Sequence, residues 1–343
     1  MNKNLVIYHM ESINNCMYQM QSKYFVNLNR LKQDMQYYEQ YYSTATSTFM
    51  VTSDLLYGNT DIFEHVRTAK GIYLEKANEV SLLEELSNKN YDTQVLYYGN
   101  IDIDRKEKYY ARLAPSSLMS IIDTSEEFIR TFTTSVGKSE PFAVFIEDNA
   151  GHISYDGKRG CNEISSGKKK YCNRINKIDE AIGSIFAILE EKNKLKDTII
   201  LLYGDHGDDM WMHGFNEGYA HALPPYNHMI HCPLFLYDAT EEGTVIDTLI
   251  GTGKLKELSL NHLSANKQNI SVEYCYSRNL LANQKENISI LNKSYSVTDG
   301  EYTLLVTRKG LELYMNLLDP MNLTNYLDFY IFKNNNLYFK DYL

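Results

Sequence analysis

Residues 198 to 204 (TIILLYG) form an apolar run that stops abruptly at Asp205-His206-Gly207. A run this short and this rich in Ile and Leu reads as a strand buried on both faces, as in a parallel sheet covered by helices. Residues 4 to 10 (NLVIYHM) repeat the pattern and stop at Glu11-Ser12. Ligands of open α/β sheets collect at the carboxyl edge of the strands, so both polar stops fall where a site is built. A carboxylate beside an imidazole offers oxygen and nitrogen donors to one divalent ion. The spacing predicts that Gly207 bends the backbone sharply enough for both to turn toward it. Taken alone, Asp-His-Gly is equally well a charged turn after a core strand.

Patterns elsewhere agree with alternating strands and helices. Further strands are expected at 93–98, 141–147 and 232–237. Ile175, Ile178, Ile182, Ile185 and Leu189 recur at spacings of three and four within 173–191, which predicts a helix with one buried stripe. After about residue 240 the runs shorten. YTLLVT (302–307) and LELYMNLL (311–318) read as an antiparallel hairpin turning at Lys309-Gly310. The expected fold class is α/β: a mostly parallel central sheet flanked by helices over residues 1–240, and a small C-terminal antiparallel α+β subdomain over 241–343. With 343 residues, 43% of them hydrophobic, the chain has the material for a full core.

A second constellation lies at 43–58 (STATSTFMVTSDLLYG), where five of the first six residues carry hydroxyls ahead of Phe49, Met50, Leu55 and Leu56. Ser and Thr cap helices, and the amides and dipole of a first turn attract anions. A threonine there presents its oxygen to a metal and a phosphate together. The plain reading of the same residues is a helix cap.

These segments, in this order, resemble the alkaline phosphatase superfamily in its branch of sulfatases, lipoteichoic acid synthases and phosphoethanolamine transferases. The resemblance rests on NLVIYHMES, TATSTFMVTSDLLYG, NRINKIDEAIGSIFAILEEKNKLKDTIILLYGDHGDD and LELYMNLLDPMNLTNYLDF, which together span nearly the whole chain. It implies a metal bound by Glu11, Thr48, Asp205 and His206, with Thr48 also the nucleophile and Thr46 and Ser47 as alternative registers. Two departures matter. Sulfatases carry Cys or Ser followed by x-Pro-x-Arg, for oxidation to formylglycine, whereas Thr48 precedes Phe49-Met50-Val51-Thr52. Threonine cannot become formylglycine. Glu11-Ser12 also stands where calcium-dependent sulfatases have paired aspartates. The resemblance therefore implies phosphoryl rather than sulfuryl chemistry.

The stretch 141–157 (PFAVFIEDNAGHISYDG) leaves two readings open. In the transferases a histidine here touches the phosphate-bearing substrate, a role for His152. In nucleotide pyrophosphatase/phosphodiesterases a similar segment binds a second metal, and Asp148 and His152 keep that D-x-x-x-H spacing. His213 is the companion phosphate-contacting or acid/base residue, with His221, His228 and His231 as further candidates. His228 and His231 are assigned to structure or the pocket rim. Tyr98 stands where lipoteichoic acid synthases carry His-Gly, and a phenol can hydrogen-bond phosphate or sugar hydroxyls. Tyr98, Asn149, Lys158 and Arg159 are the expected substrate-binding residues.

The expected function is a metal-dependent phosphotransferase or phosphodiesterase with a threonine nucleophile. Its expected partner is an anionic phosphate ester of a cell-envelope glycan or lipid head group. The alternatives are a sulfatase and a two-metal nucleotide pyrophosphatase/phosphodiesterase-like hydrolase. Imidazole in the donor set leans toward zinc or manganese, with magnesium tolerated. A net charge of -10 argues against a nucleic-acid surface. No run of about 18 apolar residues occurs, and the start lacks a charged segment followed by an apolar one, so the chain as given is expected to be cytoplasmic. Its five cysteines lack C-x-x-C spacing and read as reduced thiols, a Cys161–Cys172 bridge being the alternative.

Overall fold

The computed structural model describes residues 3–59, 66–68, 72–74, 80–99, 103–149, 164–208, 224–264, 268–279, 294–307, 310–316 and 318. The strand Asn4–Met10 lies between Phe142–Asp148 and Thr198–Gly204, parallel to both, and all three are buried along their whole length. Eight strands form the sheet, in the order 244–246, 36–38, 234–237, 198–204, 4–10, 142–148, 92–98 and 118–122. Leu234–Tyr237 alone runs against its neighbours. The expected mostly parallel sheet is therefore present.

Strand alternation sorts the side chains into two cores. Leu5, Ile7, Phe145, Leu201 and Tyr203 pack on one face with Met50, Leu55, Leu86, Leu113 and Leu258. Those partners come from the helices Thr48–Tyr57, Leu82–Asn88, Ile103–Leu113 and Leu255–Leu263. Val6, Tyr8, Val144 and Leu202 pack on the other face with Phe128, Ile178, Ile182 and Ile185, from the helices Ser125–Lys138 and Ile164–Glu191. Each fully buried side chain of this size contributes about 1.5–3 kcal/mol by leaving water. The long helix begins at residue 164 rather than 173; its first turns, Ile-Ser-Ser-Gly-Lys-Lys-Lys, carry no apolar period to announce it.

Beyond the main sheet, Cys275–Asn279, Ser294–Thr298, Tyr302–Thr307 and Gly310–Met315 form an antiparallel four-stranded sheet. The expected hairpin is its last pair; Lys309 lies outside the described residues. An isolated bridge between Ala45 and Arg278 joins this small sheet to the segment preceding the Thr48 helix. Among the described residues no helix is long and apolar enough to cross a membrane. Cys16, Cys172, Cys232 and Cys275 are free thiols, and Cys161 lies outside the described residues.

Candidate active site

Strand register sets the level of the site. Met10 is opposite Gly204, so the next residues, Glu11 and Asp205, leave their parallel strands side by side. At Ser12 the backbone turns through the left-handed region, with φ 58°, uncommon for a residue with a Cβ. The Ser12 N–H then donates to Asp205 Oδ1 at 2.9 Å, and the Ser12 hydroxyl donates to Glu11 Oε1 at 3.2 Å.

Thr48 is the first residue of its helix, after an extended Ser47 that makes no side-chain capping bond. Its hydroxyl donates to Glu11 Oε2 at 3.1 Å and lies 3.4 Å from His206 Nε2. Of the three possible registers, Thr48 has the hydroxyl that reaches both groups; the buried Thr46 Oγ1 has no hydrogen-bond partner. His206 Nε2 lies 3.3 Å from Asp205 Oδ2 and 3.8 Å from Glu11 Oε1. Its other nitrogen, Nδ1, is 2.9 Å from the Gly207 carbonyl. A carbonyl only accepts, so Nδ1 carries a proton and Nε2 is turned toward the carboxylates.

Gly207 is needed for room rather than for a left-handed backbone. Its φ is not among the positive values; a Cβ there would stand 2.2 Å from the His228 carbonyl oxygen. Glycine is required for close approach of two backbones, which also permits the Gly207 N–H to bond Met229 O at 2.7 Å.

The sequence reading missed His9. It lies near the end of the strand Asn4–Met10, two residues before Glu11, on the face that carries Leu5 and Ile7, and that parity was the available signal. Fully buried, its Nε2 lies 3.1 Å from Asp205 Oδ2 and 3.6 Å from Glu11 Oε2. Neither His9 Nε2 nor Asp205 Oδ2 has a partner in hydrogen-bonding geometry. Suitably placed donor atoms of His9, Glu11 and Asp205 all fall within 4.8 Å of one another.

The electrostatics favour positive charge at this point. Burial works against the imidazolium of His9, but Asp205, Glu11 and Glu147 outweigh it and push the group up to about 9. His206 is raised in the same way, with Asp205 and Glu11 overcoming burial. Burial would lift Asp205, yet His206 and His9 hold it well below the usual carboxylate range. Asp208, also missed, is buried nearby, and desolvation pushes it up to about 7. Clustered carboxylates, imidazole nitrogens aimed at them and unpartnered buried atoms fit a divalent cation.

Asp148 lies on the opposite face of the sheet and accepts a short hydrogen bond from the Tyr8 hydroxyl. Its neighbour Glu147 faces the Thr48 side, where Lys106, Tyr110 and Asn149 Nδ2 bond it, the last at 3.1 Å. Tyr98 stacks on Phe128, and its hydroxyl is 2.9 Å from Ser125 Oγ. His231 stacks on Tyr42 and lies 2.7 Å from the Glu39 carbonyl, and His228 is buried against Tyr226. His152, Lys158, Arg159, His213 and His221 lie outside the described residues.

Comparison with known proteins places this geometry in a family. The Sulfatase family model matches residues 3–264, well over half of the chain. The chain belongs to the sulfatase family. An arylsulfatase of Clostridium perfringens (strain 13 / Type A) is 26% identical over 188 residues, 48% of this chain and 37% of that protein. The chain thus matches little more than a third of that curated relative's length. The 2-O GAG sulfatase BT1596 superposes with a TM-score of 0.71 at 12% identity, covering 99% of this chain and 94% of that one. The lipoteichoic acid synthase LtaP from Listeria monocytogenes gives 0.63 at 13% identity, covering 91% and 85%. At such identities these structures share the fold, in agreement with an alkaline phosphatase superfamily architecture. Enzymes of the sulfatase family use a divalent metal on anionic esters, and the structural neighbours of this chain include both a sulfatase and a lipoteichoic acid synthase.

Proposed function

We propose that this sulfatase-family chain is a metal-dependent phosphotransferase or phosphodiesterase with Thr48 as its nucleophile, acting on a phosphate ester of a cell-envelope glycan or lipid head group. The supporting observation is that the Thr48 hydroxyl, at a helix N-terminus, lies 3.1 Å from Glu11 and 3.4 Å from His206. A formylglycine site would need Cys or Ser at this position.

Glu11, Thr48, Asp205 and His206 would hold the cation, of which zinc or manganese suits the donors best. When bound, it supplies charge neutralisation at the phosphoryl oxygens and lowers the hydroxyl pKa. Thr48 Oγ1 attacks phosphorus, the bond to the leaving oxygen breaks, and a phosphothreonine forms. The Thr48 proton passes along its existing hydrogen bond to Glu11 Oε2. Amides in the first helical turn face the equatorial oxygens, as at other helix N-termini. His152 or His213 gives the leaving alkoxide its proton, and water or a sugar hydroxyl then releases the phosphoryl group.

Asp148 is engaged by Tyr8 on the other face of the sheet, which favours His152 as a phosphate contact over a second-metal ligand. The Tyr98 hydroxyl is paired with Ser125 on the face away from Thr48, whereas Asn149 bonds Glu147 on the Thr48 side, so substrate contacts are assigned chiefly to Asn149, Lys158 and Arg159. The test is turnover of bis-p-nitrophenyl phosphate, p-nitrophenyl phosphate and p-nitrophenyl sulfate by zinc- or manganese-loaded protein. Phosphate-ester turnover that disappears on chelation is expected. Preferential turnover of the sulfate would overturn the proposal.

A further inference from the structure

We propose that Lys106 is a positioning residue for Thr48, acting through the ring of Phe49, a role that rests on the nucleophile proposed above. Ser47 makes no side-chain capping bond, so the helix Thr48–Tyr57 begins without the local anchor that a serine before a first turn usually supplies. An uncapped first turn leaves its amides free for an anion, and its attitude is then fixed from outside the helix. The helix Ile103–Leu113 does this at the residue next to the nucleophile. The Tyr109 hydroxyl donates to the Phe49 carbonyl at 2.7 Å, and the two rings meet edge to face, with centroids 5.0 Å apart and planes at 86°. Lys106 Nζ lies 3.9 Å from the centre of the Phe49 ring, well inside the roughly 6 Å over which an ammonium and an aromatic face attract.

Lys106 is only 4% exposed, and an ammonium so far from water needs a charged partner. Fully buried Glu147 is that partner, accepting also from the Tyr110 hydroxyl and from Asn149 Nδ2 at 3.1 Å. Burial works against the Glu147 carboxylate, yet Lys106 and His9 hold it below its ordinary value, so the pair is charged on both sides. Glu147 belongs to the core strand Phe142–Asp148, opposite His9 in the register of the sheet. The ion pair thus fastens the ammonium to the central sheet, and the ammonium fastens Phe49. Buried pairs of this kind add little stability over apolar residues of the same volume, so stability does not account for a lysine here. Its geometry instead aims a fixed charge at the side chain adjoining Thr48, whose hydroxyl has to stay 3.1 Å from Glu11 Oε2 and 3.4 Å from His206 Nε2. A misplacement of about 1 Å at a reacting atom costs on the order of 100-fold in rate.

Steady-state turnover of bis-p-nitrophenyl phosphate by the zinc- or manganese-loaded full chain, expressed per metal-bound protein, tests this in a double-variant cycle of Lys106→Met and Phe49→Leu. Lys106→Met should lower kcat about 10- to 100-fold and change KM by less than about threefold, because a misplaced nucleophile loses transition-state rather than ground-state interactions. Phe49→Leu, which keeps apolar bulk but removes the ring, should do the same. The double variant should be no slower than the slower single variant, since both changes act through one contact. Losses that multiply in the double variant, an unchanged kcat in either single variant, or a rise in KM with kcat kept would overturn the role of Lys106 and leave that of Thr48 standing. Should Lys106→Met fail to fold, Phe49→Leu decides alone by the same split between kcat and KM. Absence of phosphate-ester turnover by the unsubstituted protein would overturn both.

Discussion

Arg278 is the largest fully buried side chain described, and replacing it with methionine should cost the fold several kcal/mol. Its guanidinium donates to Asp54 Oδ2 at 2.8 Å and Oδ1 at 3.0 Å, and to the Thr44 carbonyl at 3.3 Å. Methionine keeps much of the volume but leaves Asp54 as a buried charge, supported among the described side chains by Thr44 Oγ1 at 2.6 Å and Asn59 Nδ2 at 3.2 Å. Breaking one side of a buried ion pair costs about 3–5 kcal/mol. An unfolding entropy of about 2.1 cal/mol/K per residue over 343 residues gives an expected Tm drop of about 4–7 °C. Calorimetry of Arg278→Met and of Arg278→Met/Asp54→Asn measures it, and the double variant should recover more than half of the loss because no uncompensated charge remains. A Tm within about 1 °C of the unsubstituted protein, or no recovery in the double variant, would refute the reasoning. Activity should fall as well: the guanidinium bonds the Thr44 carbonyl at 3.3 Å and Asp54, which itself accepts from Thr44 Oγ1 at 2.6 Å, so its loss loosens the segment leading to Thr48.

Gly207→Ala should displace the Asp205–His206 turn, because the new Cβ meets a backbone oxygen at 2.2 Å that no rotamer change relieves. Stability should fall by about 1–3 kcal/mol and metal content should drop; denaturant melts and elemental analysis check both. Asp238 is held well below the ordinary carboxylate range: burial opposes this, but His262 at 3.0 Å and Lys3 at 2.7 Å outweigh it. A depressed folded pKa contributes stability above the unfolded value, about 3.9, and loses it as pH falls through the folded value. Asp238→Asn should therefore melt earlier than the unsubstituted protein at pH 7, with the gap closing below about pH 4; a gap independent of pH would contradict this.

What the sequence revealed followed the physics of each element. The strands at 4–10 and 198–204 were legible to the residue because buried parallel strands are continuous apolar runs with polar stops. Gln36–Tyr38 and Thr244–Ile246 were not, since three residues carry too little pattern. The two polar strand ends and the hydroxyl-rich segment before residue 49 were legible locally, but that Glu11, Thr48, Asp205 and His206 share one site was implied by the family resemblance alone; the Thr48 hydroxyl lies 3.1 Å from Glu11 Oε2 and 3.4 Å from His206 Nε2. His9 was hidden because a histidine inside a strand looks like one more buried side chain, and only its parity with Glu11 marks it. Tyr98 and Asp148 illustrate the converse: nearness to a strand end does not say which face a side chain takes, and both lie toward the Ser125–Lys138 and Ile164–Glu191 helices. Arg278 joins Thr44 and Asp54 across more than two hundred residues, a pairing no local pattern announces.

Rapid acid quench of the metal-loaded enzyme turning over a phosphate ester, followed by peptide mass spectrometry, tests the central claim most directly. A phosphoryl group on Thr48, absent in Thr48→Ala protein that still binds metal, is the expected result. Phosphorylation of Thr46 or Ser47 instead, or unchanged turnover in Thr48→Ala, would contradict the account.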